Sequence, residues 1–273
     1  MLPSHLEQFL NDSLGPFRQM PLPGGDINQA MRLESARGHY FLKFHNRPPE
    51  QMFQREAEGL EAIAGINPGL VPTVEAVHPQ GLVLEWLDLG PGPVGGACGR
   101  ALAEVHRSPA PRWGGQADNF LGTLRQRQPA CTSWAELYGE YRLLPLAPGC
   151  PPTLRSAIER LIPRLGELLD DRDPPSHLHG DLWAGNAGQR RNGRPVLYDP
   201  AYATGHRELD LAMSLLFGGF SPSFYSEYEA CFALQPGWRD RVRLHQLYFV
   251  LAHFKLFGSP YDVQAFEVAS HYL

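Results

Sequence analysis

Ser176-His177-Leu178-His179-Gly180-Asp181-Leu182-Trp183-Ala184-Gly185-Asn186 is the stretch that decides the reading of this chain. Asp181 and Asn186 stand in a D-L-x-x-x-N spacing, and Leu197-Tyr198-Asp199-Pro200-Ala201 adds a second carboxylate downstream, at the end of an apolar run. Phosphoryl transfer to a hydroxyl needs a carboxylate to accept the hydroxyl's proton. It also needs an amide oxygen and another carboxylate to hold Mg²⁺ against the phosphates. Asp181 suits the first role, and Asn186 and Asp199 suit the others. A lone D-x-x-x-x-N is common in capped turns; the complete string followed by the Asp199 segment is not.

Length and composition narrow the class. The chain has 273 residues, 43% of them hydrophobic, enough for one large domain or two lobes with a sizeable core. A net charge of -5 argues against a nucleic-acid partner held on a general basic surface. No apolar run is long enough to cross a bilayer, and residues 1–15 are too polar for a signal peptide. Cys98, Cys131, Cys150 and Cys231 show no C-x-x-C spacing, so they read as reduced thiols of a cytoplasmic protein.

The rest of the chain supplies the remaining parts in order. Leucines and Phe9 at helical spacing predict a short amphipathic helix over 2–14. Pro21-Leu22-Pro23-Gly24-Gly25-Asp26 reads as a turn, and a hairpin follows, Ile27 to Glu34 and Tyr40 to Phe44. Gly24 and Gly25 would let backbone N–H groups approach phosphate. Lys43, in the second strand, is either an edge residue facing water or a phosphate-binding lysine. The second reading requires a carboxylate on a neighbouring helix, and residues 50–64 offer Glu56, Glu58 and Glu61, of which Glu56 is preferred. Two more strands, 73–77 and 81–85, end near Glu85-Trp86-Leu87. Glycine and proline then loosen the chain over 88–96, and the pattern turns helical over 99–106, 134–144, 154–169 (kinked at Pro163), 209–217, 223–232, 238–257 and 263–272. The fold class is thus α+β and bilobal, like that of protein kinases. A small β-rich nucleotide lobe covers 1–87, and a larger, mainly helical lobe covers 88–273, with 88–96 as the hinge.

The string His179-Gly180-Asp181-Leu182-Trp183-Ala184-Gly185-Asn186 resembles the H-G-D-L-W-x-G-N signature of the fructosamine kinase (ketosamine 3-kinase) family. Asp118-Asn119-Phe120-Leu121-Gly122-Thr123, Tyr198-Asp199-Pro200-Ala201, Gly205-His206-Arg207-Glu208 and Phe217-Gly218-Gly219-Phe220 resemble other segments of that family, so the likeness runs along nearly the whole chain. Choline and aminoglycoside kinases share H-G-D and the later Asp.

The resemblance implies an ATP- and Mg²⁺-dependent kinase that phosphorylates the sugar 3-hydroxyl of ketosamines, free or on glycated proteins. It gives Asp181 as base, Asn186 and Asp199 as metal ligands, Lys43 and Glu56 as partners of the ATP phosphates, and Glu85, Trp86 and Leu87 as the adenine segment. Substrate contacts fall on Trp183, which could stack on substrate or pack the loop, and on His206 and Glu208, the last equally suited with Asp210 to capping a helix. The sequence departs from the family at Asp26, where many relatives carry a cysteine that in some links two chains. A monomer or weak homodimer is therefore expected. Two alternatives stay open: a kinase for another amino sugar or amino alcohol, and a catalytically silent binding module, whose mark would be loss of a base or metal residue.

Overall fold

The computed structural model describes residues 2–23, 27–169 and 172–273. Its first half is built on α1 (Ser4–Leu14), β1 (Phe17–Leu22), β2 (Gln29–Ser35), β3 (Gly38–Phe44), α2 (Met52–Ile66), β4 (Val74–His78) and β5 (Gly81–Glu85). The strands form one sheet in the order β1-β2-β3-β5-β4, antiparallel throughout. Alternation along the strands sorts the side chains onto two faces. Met31, Leu33, Leu42 and Phe44 bury against Leu6, Leu10 and Leu14 of α1, which repeat at helical spacing. The other face of β3 carries Phe41 and Lys43, and here α2 packs with Met52, Phe53, Leu60 and Ile63. Each such fully buried leucine or phenylalanine contributes roughly 1.5–3 kcal/mol of transfer free energy.

Two expectations change here. The segment read as a turn from Pro21 begins as strand: β1 runs through Pro21 and Leu22, paired with Met31 and Ala30. Proline is tolerated because β1 is the sheet edge, where a missing N–H breaks no ladder on its outer side. Gly24, Gly25 and Asp26 lie outside the described residues.

The segment over 88–96, expected to be a loose hinge, is tied down at Asp88 and Gly90. The Gly90 N–H donates to the Gln189 carbonyl at 2.7 Å, and the Arg191 N–H donates to Asp88 O at 3.1 Å. Arg190 grips Glu85 with both guanidinium nitrogens, at 2.6 and 3.0 Å. Glycine and proline set the backbone path, and these bonds fix it.

Beyond the hinge come α3 (Gly96–Arg107), β6 (Asn119–Leu121), β7 (Leu124–Gln126) and α4 (Trp134–Tyr138). The helix expected over 134–144 opens into a π turn over Gly139–Leu143 and a 3₁₀ turn over Leu144–Leu146. Gly139 weakens the regular ladder, and Pro145 lacks the N–H to continue it. Next are α5 (Pro152–Leu161) and α6 (Leu165–Leu168), broken at Pro163 as the sequence predicts. The last elements are β8 (Ser176–Leu178), β9 (Ala187–Gln189), β10 (Pro195–Leu197), β11 (Ala203–Gly205), α7 (Glu208–Leu216), α8 (Pro222–Cys231), α9 (Trp238–Phe257) and α10 (Tyr261–His271). The core of this lobe gathers on α9, whose Leu244, Leu247, Phe249, Val250 and Leu251 are buried. Among the described residues, no helix is long and apolar enough to cross a membrane.

Candidate active site

The catalytic-loop candidate leaves the end of β8, which is held in register by antiparallel pairing with β11. Gly180 has φ 81°, and a Cβ there would sit 2.0 Å from the Ala201 carbonyl oxygen, so glycine alone fits. Leu182 is fully buried and pins the loop to the core. The His179 ring donates from Nε2 to the Tyr198 carbonyl at 3.1 Å and accepts the Asp181 N–H at Nδ1, 3.3 Å. That pattern is a neutral imidazole, in agreement with burial pushing the His179 pKa down.

Asp181 faces the cavity between the lobes. The Asn186 amide donates to the Asp181 carboxylate at 3.1 Å and to its carbonyl at 2.9 Å, which fixes the carboxylate's orientation. Burial and the nearby Asp199 charge raise the Asp181 carboxyl to about 8. A buried carboxylate that holds a proton this readily is a stronger base than an exposed one.

The second cluster joins the two lobes. β3 lies between β2 and β5, so Lys43 belongs to an inner strand rather than an edge. Its Nζ donates to Glu56 Oε2 at 2.9 Å and to Asp199 Oδ1. Burial alone would lower the Lys43 pKa, and the two carboxylates reverse this and hold it above its ordinary value. Burial also works against ionised Asp199, but the Lys43 ammonium overrides it and keeps that carboxyl low. Glu56, the most buried of the three, is pushed up. Glu58 pairs instead with Arg55 on the helix surface, and Glu61 is exposed. Asp199 has φ 63°, a left-handed backbone rare outside glycine. Strain of this kind persists where surrounding structure enforces it, and it clusters at functional sites.

These groups line one cavity of about 890 Å³. Leu22, Leu84, Glu85, Trp86, Leu87 and Leu89 line it too, and most of them are apolar. The Glu85 side chain is committed to Arg190. Trp183 lines the cavity and is 40% exposed; it meets Phe217 edge-on and lies over Gly185. The ring is not buried beneath the loop.

Two expected substrate residues are elsewhere. His206 is fully buried in the large lobe, stacked on Trp113 at 6.2 Å with the His245 ring 5.7 Å away. Glu208 is buried with it and holds the Arg241 guanidinium at 2.5 and 2.8 Å. The reason is the path of the chain: after Asp199 it returns alongside β8 as β11 and enters the interior before α7 begins. Ligand atoms of His206, Glu208 and His245 come within 4.8 Å of one another, but Arg241 already matches the charge of the cluster's one carboxylate.

A residue that sequence reading treated only as a helix cap holds the loop instead. Asp210, fully buried, accepts the His179 N–H at 2.7 Å, the Gly180 N–H at 2.8 Å and the His106 Nε2–H at 3.1 Å. Tyr228 in turn donates to His106 Nδ1 at 2.8 Å. Asp210→Ala would strand buried donors, each costing about 1–3 kcal/mol. We expect a lower Tm and a lower kcat together, measured by thermal unfolding and initial rates; wild-type values of both would remove the anchoring role.

Hard oxygen donors suit Mg²⁺. With its Nδ2 spent on Asp181, Asn186 presents its Oδ1 elsewhere, and the Asp199 carboxylate is half-exposed to the cavity. The residues present therefore fit the ion.

A β-sheet lobe with a paired lysine, a helical lobe with an Asp–Asn loop, and a nucleotide-sized cavity between them define a phosphotransferase of the kinase-like fold. Residues 3–273 match the fructosamine kinase family, and the chain belongs to it. It is 39% identical to a probable ketoamine kinase of Synechocystis, over 92% of this chain and 89% of that one. It is 34% identical to a chloroplastic protein-ribulosamine 3-kinase of Arabidopsis thaliana, over 92% and 81%. The structure of a candidate fructosamine-3-kinase from Thermobifida fusca superposes with a TM-score of 0.87 at 29% identity, covering 97% of each chain. The protein is accordingly an ATP-using kinase.

Proposed function

We propose that the protein transfers the γ-phosphoryl group of ATP to the sugar 3-hydroxyl of ketosamines, on small amines or glycated proteins. The observation that carries this is the Asp181 carboxylate, partly buried, oriented by Asn186 and facing the same cavity as the Lys43–Glu56–Asp199 cluster. The 3-hydroxyl proton passes to the Asp181 carboxylate as its oxygen attacks the γ-phosphorus. The bond to the β–γ bridging oxygen breaks, and ADP leaves. Lys43, held by Glu56, positions the phosphates. Asn186 and Asp199 would hold Mg²⁺, which when bound neutralises phosphate charge. In the product the phosphate sits on the carbon next to the ketone; enolisation toward the amine-bearing carbon expels it as inorganic phosphate, and hydrolysis of the resulting imine by water releases the amine and a 3-deoxy-osone. The test is ATP turnover with ribuloselysine, fructoselysine and kanamycin side by side. Kanamycin turnover without either ketosamine would replace this reading with an aminoglycoside-type kinase, and no turnover of any would favour a silent binding module.

Ribulosamines are expected to outrun fructosamines. The reacting hydroxyl must lie within reach of Asp181 and in line with the γ-phosphate, so an extra hydroxymethyl at the far end of the sugar has to fit or clash. One such group changes discrimination by about 1–3 kcal/mol, a preference rather than an exclusion. Equal or higher kcat/KM for fructoselysine would remove the preference and leave the ketosamine reading intact.

Redox control is not expected. All four cysteines are free. Cys98 is buried, and burial pushes its thiol up to about 12; the Cys131 and Cys150 thiols are raised by the same cause. Thiols held protonated react slowly. Activity should survive mild oxidant; loss restored by dithiothreitol would point to a sensitive thiol.

A further inference from the structure

Past Asp181 and Trp183, the large-lobe wall of the cavity is made of rings in sequence. Phe217 contacts Trp183 with centroids 6.3 Å apart and His253 at 5.1 Å. His253 contacts Phe257 at 5.7 Å and Tyr261 at 5.1 Å. All five line the cavity, supplied by the catalytic loop, the end of α7, the last turns of α9 and the start of α10. Phe217 and Phe257 are 48% and 46% exposed, whereas most large apolar side chains of this lobe are buried. A contiguous exposed apolar patch beside a catalytic group marks a binding surface.

Charge sharpens the point. Among the described residues lining the cavity, the Asp, Glu, Lys and Arg side chains are Lys43, Glu56, Glu85, Asp181 and Asp199. Four belong to the phosphate and base cluster, and Glu85 is held by Arg190. None of them belongs to the ring-lined wall, so recognition there rests on apolar and π contact. The His253 Nδ1–H donates to the Phe249 carbonyl at 2.7 Å, which fixes the ring.

We infer that Phe217, His253, Phe257 and Tyr261 form a subsite for the substituent on the substrate's amine, and that this subsite favours apolar or aromatic substituents. The inference rests on the ketoamine reading above. In a ketosamine the amine stands two carbons from the 3-hydroxyl. With the hydroxyl at Asp181, the amine lies beside Trp183, and its substituent continues along the rings toward solvent. A protonated amine gains from the faces of those rings. The sugar tail leaves in the other direction.

The experiment compares ribulosamines of benzylamine, butylamine and glycine at saturating ATP. Benzylamine ribulosamine should exceed the glycine derivative about tenfold in kcat/KM, mostly through KM, as expected for one or two aromatic contacts. Phe257→Ala and Tyr261→Ala, tested separately, should bring that ratio toward one, with ATP affinity measured on the same preparations to show that each variant is folded. A wild-type ratio near one, or a ratio unchanged in both variants, overturns the subsite and leaves the ketoamine reading standing. Failure of all three compounds to be phosphorylated overturns that reading and the subsite with it.

Discussion

Replacing Asp181 with Asn is expected to lower kcat by about 10²–10⁴-fold, the usual contribution of a general base, while ATP binding is retained. In the proposed reaction the carboxylate would accept the proton, and an amide of the same shape cannot do so at the pH of the reaction. The substitution should disturb little else. Gly180, Leu182, His179 and Asp210 set the loop's path through contacts that do not involve the 181 side chain. On the proposed assignment ATP would be held by the hinge segment and by Lys43 rather than by the 181 side chain. The measurements are kcat on ribuloselysine and Kd for ATP on one preparation. A kcat near wild type would remove Asp181 from the base role, and loss of ATP binding would show that its charge also supports the nucleotide site.

Asp199→Ala is expected to be inactive at any accessible Mg²⁺ concentration. Asp199 is both a hard oxygen donor and the countercharge that Lys43 reaches across the lobes. Removing it leaves Lys43 with Glu56 alone, and on the proposed assignment would leave Mg²⁺ with only the Asn186 amide. The backbone adds a complication, since alanine at φ 63° is strained by roughly 1–2 kcal/mol. Asp199→Asn separates the effects, because asparagine tolerates that conformation and keeps one oxygen while losing the charge. Asn186→Ala should differ in kind: Asp199 remains, so more Mg²⁺ should recover part of the rate. Rates measured across an Mg²⁺ titration decide this, and full activity of Asp199→Ala would refute the assignment.

Much of this molecule was legible locally. The H-G-D-L-W-x-G-N string declares itself because each position answers to a neighbour a few residues away or to the loop's own backbone. Gly180 must be glycine to clear Ala201, Asn186 reaches back to Asp181, and Gly185 lies under the Trp183 ring. For Lys43 the sequence left an edge residue and a phosphate-binding lysine both open, with Glu56 the preferred partner; the structure shows the pair, Lys43 lying on the face of β3 that α2 covers and Glu56 among the buried positions of that helix.

The failures have the opposite character. His206 and Glu208 follow the Asp199 segment closely in sequence, but β11 carries the chain into the interior, and closeness along the chain did not become closeness in space. Asp210 could have been suspected as a carboxylate among Leu209, Leu211 and Ala212, where burial demands partners, but its partners lie on the loop that follows β8 and on α3.

The sequence by itself determined the two-lobed fold class and the family, because periodicity, turn chemistry and a contiguous motif are local properties. Only the tertiary structure decided what surrounds them: the Asp210 anchor under the loop, the Glu85–Arg190 clamp on the hinge, and the ring-lined wall that joins Trp183 to Phe217, His253, Phe257 and Tyr261. The physical reason is that a buried charge or an aromatic face is matched by whatever group packing brings to it, and these partners come from distant parts of the chain.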